Sequence, residues 1–292
     1  MARPGLDPVE RAAEINGADL RYWVHRDDLA GPDGPDTIVM VHGLRGTHHG
    51  LELIAAGLPD HRVVVPDLPG FGDSGPMVGR RHDAQGYASA MIELIKLLGD
   101  RPVVLLGHSF GSIVAAHVAS SAPELVTKLV LVNPISTPAL RGPRVMLSSL
   151  ASAYYSLGKA LPPRMGNSLL ANRWVVLGAS RAMIRTKDKR LRRYIDESHL
   201  RYFSRFHSPA LLSETFAASV SNTVTDYADA LSMPTLLVAG ETDEIAPLAG
   251  QRVLADRLPQ ARLAVIPHVG HLVHYETPEA AAYEIRRFLG AS

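Results

Sequence analysis

The chain has 292 residues, is 46% hydrophobic and 20% charged, and carries a formal net charge of +1. That is the composition of a folded globular protein of one large or two ordinary domains, and the absence of cysteine excludes disulfides and thiolate metal sites. Residues 1–13 hold acids and prolines without an apolar run, and no stretch offers about twenty uninterrupted apolar residues, so neither a secretory leader nor a membrane span is expected, and a cytoplasmic protein is.

In chain order, residues 12–26 predict a β-hairpin. Ile15 leads into a turn at Asn16-Gly17, and Leu20, Tyr22 and Val24 then alternate with polar residues. A Pro/Gly loop follows at 31–36. Residues 37–41 are continuously apolar, as in a strand buried on both faces, and end at His42-Gly43-Leu44-Arg45-Gly46. Residues 48–58 predict a helix and 61–65 a second buried strand. A glycine-rich loop, Asp67-Leu68-Pro69-Gly70-Phe71-Gly72-Asp73-Ser74, comes next. Its glycines raise the question of phosphate binding, but it lacks the lysine of a P-loop. The spacing of Ala90, Met91, Leu94, Ile95 and Leu98 predicts a helix over 87–98.

The stretch 101–122 is the centre of the sequence. The apolar run Val103, Val104, Leu105 and Leu106 meets Gly107-His108-Ser109-Phe110-Gly111, and helical periodicity starts at once from Ile113. A strand, a five-residue corner and a helix with no loop between them match the nucleophile elbow G-x-S-x-G. A serine lifted out on so tight a turn has a strained backbone, and the two glycines remove the β-carbons that would collide. Ser109 is therefore the candidate nucleophile. His108 is expected to point back into the fold as a packed, hydrogen-bonded residue.

A strand over 128–132 ends at Asn133-Pro134, and there the alternation of strands and helices stops. From residue 144 to 161 the apolar residues Met146, Leu150, Tyr154, Leu157 and Leu161 share one helical face, ended by Pro162-Pro163, and 167–182 and 187–206 also read as helices. Alternation resumes with a strand at 235–239, a helix at 249–258, a strand at 263–266 and a helix at 278–289. The simplest topology is a mostly parallel α/β sheet flanked by helices, with an all-helical insertion after the 128–132 strand. Charge divides the same way: residues 137–225 hold 14 Lys+Arg against 4 Asp+Glu, so this part carries +10 and the remainder −9.

A serine hydroxyl needs a base to take its proton and a third group to orient the base. Two strand ends downstream of Ser109 offer them. Glu241, Asp243 and Glu244 follow the 235–239 strand, and His268, His271 and His274 follow the 263–266 strand.

With these pieces in order, the chain resembles the α/β-hydrolase superfamily over roughly residues 12–136 and 229–292. The matching residues are His42-Gly43, the 67–74 loop, the elbow, the run from Pro234 to Gly240 with Asp243 and Pro247, and Gly270-His271 followed by Glu276 and Pro278. One departure is Ser112, where relatives often have a second glycine. The resemblance implies a core of residues 1–136 and 229–292 and a helical cap of residues 137–228. It assigns the acid to Asp243 and the base to His271, leaving Glu241 and Glu244 as solvated loop residues and His268 and His274 as structural or pocket-edge residues. Some relatives carry the acid one strand earlier, where this chain has Asn133, which cannot ionise. The oxyanion donors implied are the backbone N–H groups of Phe110 and Leu44. Arg45, beside them, is read as a surface arginine ahead of an anion ligand. The 67–74 loop is structural in this family.

The expected activity is hydrolysis of a small-molecule carboxylic ester, with no cofactor and no metal. Two rivals stand beside it: carbon–carbon bond cleavage of a vinylogous diketone acid, and a ligand-binding receptor on the same scaffold. A cofactor-free, haloperoxidase-like perhydrolase side activity is a further alternative. A carboxylate nucleophile, as in epoxide hydrolases and haloalkane dehalogenases, is disfavoured by Ser109. Arg181, Arg185, Lys187, Lys189, Arg190, Arg192 and Arg193 crowd one stretch of the insertion. A solvated helix face is the first expectation for them, and docking on an anionic membrane surface or recognition of an anionic acyl group the alternatives. Nucleic acid is not expected, because no reading motif accompanies the charge.

Overall fold

The computed structural model describes residues 8–31, 34–99, 101–138 and 145–290. Residues 1–7, part of the 31–36 loop, the predicted helix start at Arg144 and the side chain of Met146 lie outside that description.

In chain order the elements are β1 (Val9–Ile15), β2 (Ala18–His25), β3 (Ile38–Val41), α1 (Glu52–Ala56), β4 (Val63–Pro66), α2 (Ala84–Leu97), β5 (Val103–His108), α3 (Phe110–Ser121), β6 (Val126–Val132), α4 (Val145–Ala160), α5 (Pro163–Leu170), α6 (Arg173–Met183), α7 (Lys189–Tyr202), α8 (Pro209–Ser221), β7 (Thr235–Gly240), α9 (Leu248–Arg257), β8 (Ala261–Ile266), α10 (Val273–Glu276) and α11 (Pro278–Gly290). One eight-stranded sheet runs in the order β1-β2-β4-β3-β5-β6-β7-β8. β1 and β2 pair antiparallel, β2 joins β4 antiparallel, and every pair from β4 to β8 is parallel. The hairpin turn uses Asn16 and Gly17, both at positive φ (53° and 72°), which lets two residues reverse the chain with the twist the strands require.

The continuous apolar strands are explained by burial on both faces. Val103 and Leu105 of β5 enter one core with α2 and α3, while Val104 and Leu106 enter the other with α1 and α11. All six residues of β5 are buried.

Several predicted helices differ from those observed. Residues 48–58 do not form one helix. A 3₁₀ turn at His48–Gly50 precedes the five-residue α1, because Gly50 interrupts the run and Gly57, whose Cβ would lie 2.5 Å from that of Ala282, lets the chain pass against α11. The predicted helix over 167–182 is two helices. Asn172 breaks it by accepting the N–H groups of Trp174 and Val175 as an N-cap, which starts α6 afresh. The predicted 187–206 helix is shortened at both ends to α7, whose N-cap is Asp188. Pro163 opens α5. α8 was not anticipated; its Ser208 cap and Pro209 first residue are the signals that mark it. On α4 the expected face is buried only in part: Tyr154 packs against the core. Leu150 and Leu157 are exposed, whereas Tyr155 and Gly158 face inward, Gly158 because Leu170 of α5 occupies the space a side chain would need.

Candidate active site

The elbow is built by contact. A Cβ on Gly107 would lie 2.2 Å from the Gly111 carbonyl oxygen, and one on Gly111 would lie 2.2 Å from the Val41 carbonyl oxygen. Side chains there would push β5, α3 and β3 apart. Ser109 sits between them at φ 54°, ψ −120°, a strained conformation for a residue with a Cβ. Ser112, the departure from the glycine pattern, is wholly buried. Its hydroxyl donates to the Ser109 carbonyl (2.5 Å) and accepts the Ile135 N–H (3.2 Å), so it ties the elbow to the chain leaving β6.

The structure brings Ser109, His271 and Asp243 together. The Ser109 hydroxyl lies 2.8 Å from His271 Nε2, and His271 Nδ1–H donates to Asp243 Oδ2 at 2.8 Å. Asp243 is buried and accepts four hydrogen bonds. Oδ1 takes the N–H groups of Ile245 and Ala246, and Oδ2 takes His271 and the Asn133 side-chain amide at 2.6 Å. Burial works against its ionisation, but the facing His271 and these donors outweigh that and hold its carboxyl below the ordinary value. Asn133, at positive φ, also donates to the Gly270 carbonyl and so positions both the acid and the loop bearing His271. Sequence reasoning identified Asn133 only as a residue that cannot ionise. Its place at the carboxyl end of β6, between those of the nucleophile and the acid, was the available signal. Gly240 lets β7 approach that loop, since a Cβ there would lie 2.2 Å from the Gly270 carbonyl oxygen.

Glu241 and Glu244 do not reach His271. Glu241 accepts the His268 N–H, and Glu244 is an exposed partner of Arg185. His268 is exposed at positive φ. His274 is buried against His108, ring centroids 4.0 Å apart, and His108 Nε2–H donates to the His271 carbonyl at 3.3 Å. Burial, aided by the neighbouring His271, pushes His108 down to about 3 and leaves it neutral.

The loop after β3 packs directly on the nucleophile. A Cβ on Gly43 would lie 3.0 Å from Ser109 Cβ, so a side chain there would crowd the nucleophile, and the next residue, Leu44, lines the same cleft as Ser109. His42 fixes the loop by donating to the Gly43 carbonyl and accepting the Leu68 N–H. Phe110 is the first residue of α3, so its N–H has no carbonyl one turn earlier in the helix. Arg45 departs from the surface reading. It is buried and gives Nε–H to the Phe203 carbonyl and Nη2–H to the Leu170 carbonyl, both on the helical segment. Within the 67–74 loop, Asp67 is wholly buried and accepts from His48 and from the Asp73 N–H; Gly72 is obligatory there, because a Cβ would lie 2.0 Å from Asp67 Oδ2.

Above Ser109 lies a cleft of about 810 Å³ between the strand ends and helices α4, α6 and α8. Ile135, Tyr155, Val176, Phe216 and Leu272 line it, and the exposed Leu150, Val175 and Ile245 lie along it as well. Of the seven clustered cations, Arg181 pairs with Asp196 and Arg185 with Glu244. The other five are exposed and have no ion pair among the described residues. No helix among the described residues is long and apolar enough to cross a membrane.

A strained serine between a parallel sheet and α3, and a histidine and acid on two later strand ends, define the class: residues 36–278 match the alpha/beta hydrolase fold family, and the chain belongs to it. It is 31% identical over 288 residues to 2-hydroxy-6-oxononadienedioate/2-hydroxy-6-oxononatrienedioate hydrolase 2 of Pseudomonas putida, covering 92% of each protein. A shorter match, 41% identical over 117 residues, is to Lipase LipV of Mycobacterium tuberculosis and spans 39% of this chain and 42% of that protein. Among solved structures, MGS-M2, an alpha/beta hydrolase from a Medee basin deep-sea metagenome library, superposes with a TM-score of 0.79 at 18% identity, covering 97% of this chain and 98% of that one.

Proposed function

We propose that the chain hydrolyses carboxylic esters through an acyl-enzyme on Ser109. The observation that carries this reading is the Ser109–His271–Asp243 line, 2.8 Å at each step, at the floor of an apolar cleft. Ser109 Oγ attacks the ester carbonyl while His271 Nε2 takes its proton. The N–H groups of Leu44 and Phe110 hold the oxyanion of the tetrahedral intermediate. Collapse expels the alcohol, which receives the proton from His271 and leaves Ser109 acylated. Water then attacks the acyl carbon, giving its proton to His271, and the second collapse releases the acid and restores the serine. Asp243 keeps the proton of neutral His271 on Nδ1 and stabilises the imidazolium in between. In this reading residues 137–228 are a cap that supplies the far wall of the cleft to a core of residues 1–136 and 229–292.

Carbon–carbon bond cleavage would use the same three residues, and the Pseudomonas putida relative, named for a dioate, favours considering it. A dicarboxylate needs a cation to receive it. Among the described residues the one arginine lining the cleft, Arg45, is committed to two carbonyl groups, which favours an uncharged ester. A receptor on this scaffold would not need the strained Ser109 or the short contact to His271.

The test is fluorophosphonate labelling together with hydrolysis of aryl esters of graded acyl length. Ser109→Ala is expected to abolish labelling and lower kcat by roughly 10⁴–10⁶-fold with the fold intact. Esterase activity near that of the parent in Ser109→Ala would overturn the nucleophile. Turnover of a vinylogous diketone acid well above that of any ester would move the reaction to the second reading.

A further inference from the structure

A second cluster of reactive side chains follows the loop that carries Leu44, on residues the proposed reaction does not use. His48 and His49 come from the 3₁₀ turn after β3, and Glu52 is the first residue of α1. One ligand atom from each of the three lies within 4.8 Å of the other two. His49 Nδ1 is 2.7 Å and His48 Nε2 3.9 Å from the same Glu52 oxygen, Oε1.

The surroundings prepare His48 to ligate. Wholly buried Asp67 accepts both the backbone N–H of His48 (2.6 Å) and its Nδ1–H (2.9 Å). With the proton held on Nδ1, the lone pair is on Nε2, on the side of Glu52. A carboxylate behind a histidine in this way orients metal-bound imidazoles and raises their basicity. Trp23 of β2 stacks on the His48 ring at 3.3 Å between centroids, which fixes the ring plane and leaves its edge free.

A fourth residue, His25, stands on β2 outside this group of three ligands. His25 is two residues beyond Trp23 on β2, so its side chain emerges on the same face of the sheet. It is 8% exposed, its Nε2 has no hydrogen-bond partner, and it lies near enough to Glu52 and His48 to interact electrostatically with both. A buried imidazole nitrogen without a partner is costly unless something completes it.

We propose that His48, His49 and Glu52 bind one divalent ion of the zinc type, with a bound water completing the fourth position. Two imidazoles and a carboxylate select zinc, cobalt or nickel over magnesium and calcium, which take oxygen ligands. Tetrahedral bonds of 2.0–2.1 Å separate ligand atoms by about 3.3 Å. His48 and Glu52 meet that with a small approach, and the partly exposed His49 and Glu52 can open by about 0.6 Å to reach it. The ion would pin the start of α1 to the turn that precedes it. It would also reach the helical segment, because Tyr202 of α7 stacks on His49 at 4.0 Å. Its role is structural and independent of the ester reaction.

The experiment uses the full chain without a polyhistidine tag, stripped of metal and titrated with Co²⁺ alone and then Zn²⁺. The expected result is one Co²⁺ per chain with the intense visible absorption of four-coordinate cobalt, lost on adding one equivalent of Zn²⁺, and a rise in Tm with Zn²⁺ but not with Mg²⁺. His49→Ala and Glu52→Gln should each weaken binding by about tenfold or more. His268→Ala, which removes an exposed histidine elsewhere, should leave binding unchanged. Circular dichroism of the two partly exposed variants guards against misfolding. Absence of stoichiometric Co²⁺ binding by the parent, or binding by His49→Ala and Glu52→Gln equal to the parent, would overturn the site.

Discussion

His199 gives the sharpest test of how the buried histidines couple pH to stability. It lies wholly buried on α7, stacked on Phe203 at 3.9 Å and edge-on to Tyr275, and neither ring nitrogen has a hydrogen-bond partner. Burial pushes it down to about 4 from 6.5, with only Asp196 acting the other way. A histidine lowered by folding binds fewer protons when folded than when unfolded at any pH between the two values. Its contribution is therefore fully present above about 6.5 and is lost as pH falls towards 4. Between about pH 7.5 and pH 5 this single group should cost the fold about 2 kcal/mol. His108, pushed down to about 3, adds a loss of similar size over the same interval. Asp67 and Asp243 are lowered from 3.8 and are silent until the pH is more acid. The perturbation is His199→Leu, which keeps an apolar side chain of nearly the same volume and removes the titrating group. Urea unfolding at both pH values is the assay. The variant should match or exceed the parent near pH 7.5, since no hydrogen bond is lost, and should lose about 2 kcal/mol less than the parent on going to pH 5. Parallel losses in parent and variant would refute the reasoning.

Asp243→Asn is expected to leave KM nearly unchanged and lower kcat by roughly 10⁴-fold, because the amide favours the wrong tautomer of His271, while Glu241→Gln and Glu244→Gln stay near the parent; a larger loss from either glutamate would move the acid. Arg45→Met should lower stability by about 2–4 kcal/mol in urea, since the Phe203 and Leu170 carbonyl groups lose a charged donor in a buried place, and parent-like stability would show those bonds to be worthless. The exposed cations Lys187, Lys189, Arg190 and Arg193 should give salt-sensitive co-sedimentation with anionic but not neutral vesicles, at roughly 1 kcal/mol for each residue at the surface. Changing all four to Gln should remove that binding, and an unbound parent, or a variant that binds as well as the parent, would make the patch a solvated face.

The sequence by itself determined the order of the fold and of the candidate residues, because the signals involved are local. Burial of a parallel strand on both faces makes its whole run apolar, so β3, β4, β5 and β7 were legible. The steric demand of the elbow fell on Gly107 and Gly111, and the contacts now seen at both are the reason they are glycine. The Asn-Gly turn between β1 and β2 is equally local. Helix limits were less legible where a cap beats periodicity. Asn172 divides an apolar-periodic run, and Ser208 begins a helix whose residues look unremarkable in sequence. The buried face of α4 was only partly legible: Tyr154 packs inward as its spacing suggests, but Gly158 faces inward only because Leu170 of another helix fills the space. Tertiary structure alone decided three things about the site, each depending on partners far along the chain. Arg45 is drawn inward by carbonyl groups more than a hundred residues away. Asn133 becomes a donor to Asp243 because β6 lies between the strands that carry Ser109 and the acid. His48 meets Trp23 and Asp67 because β2 is placed beside β4 and the turn after β3 packs against both. Spacing along a chain encodes strands, turns and caps through steric and hydrogen-bond rules that span a few residues; which long side chain finds which distant carbonyl or ring is settled only when the layers pack.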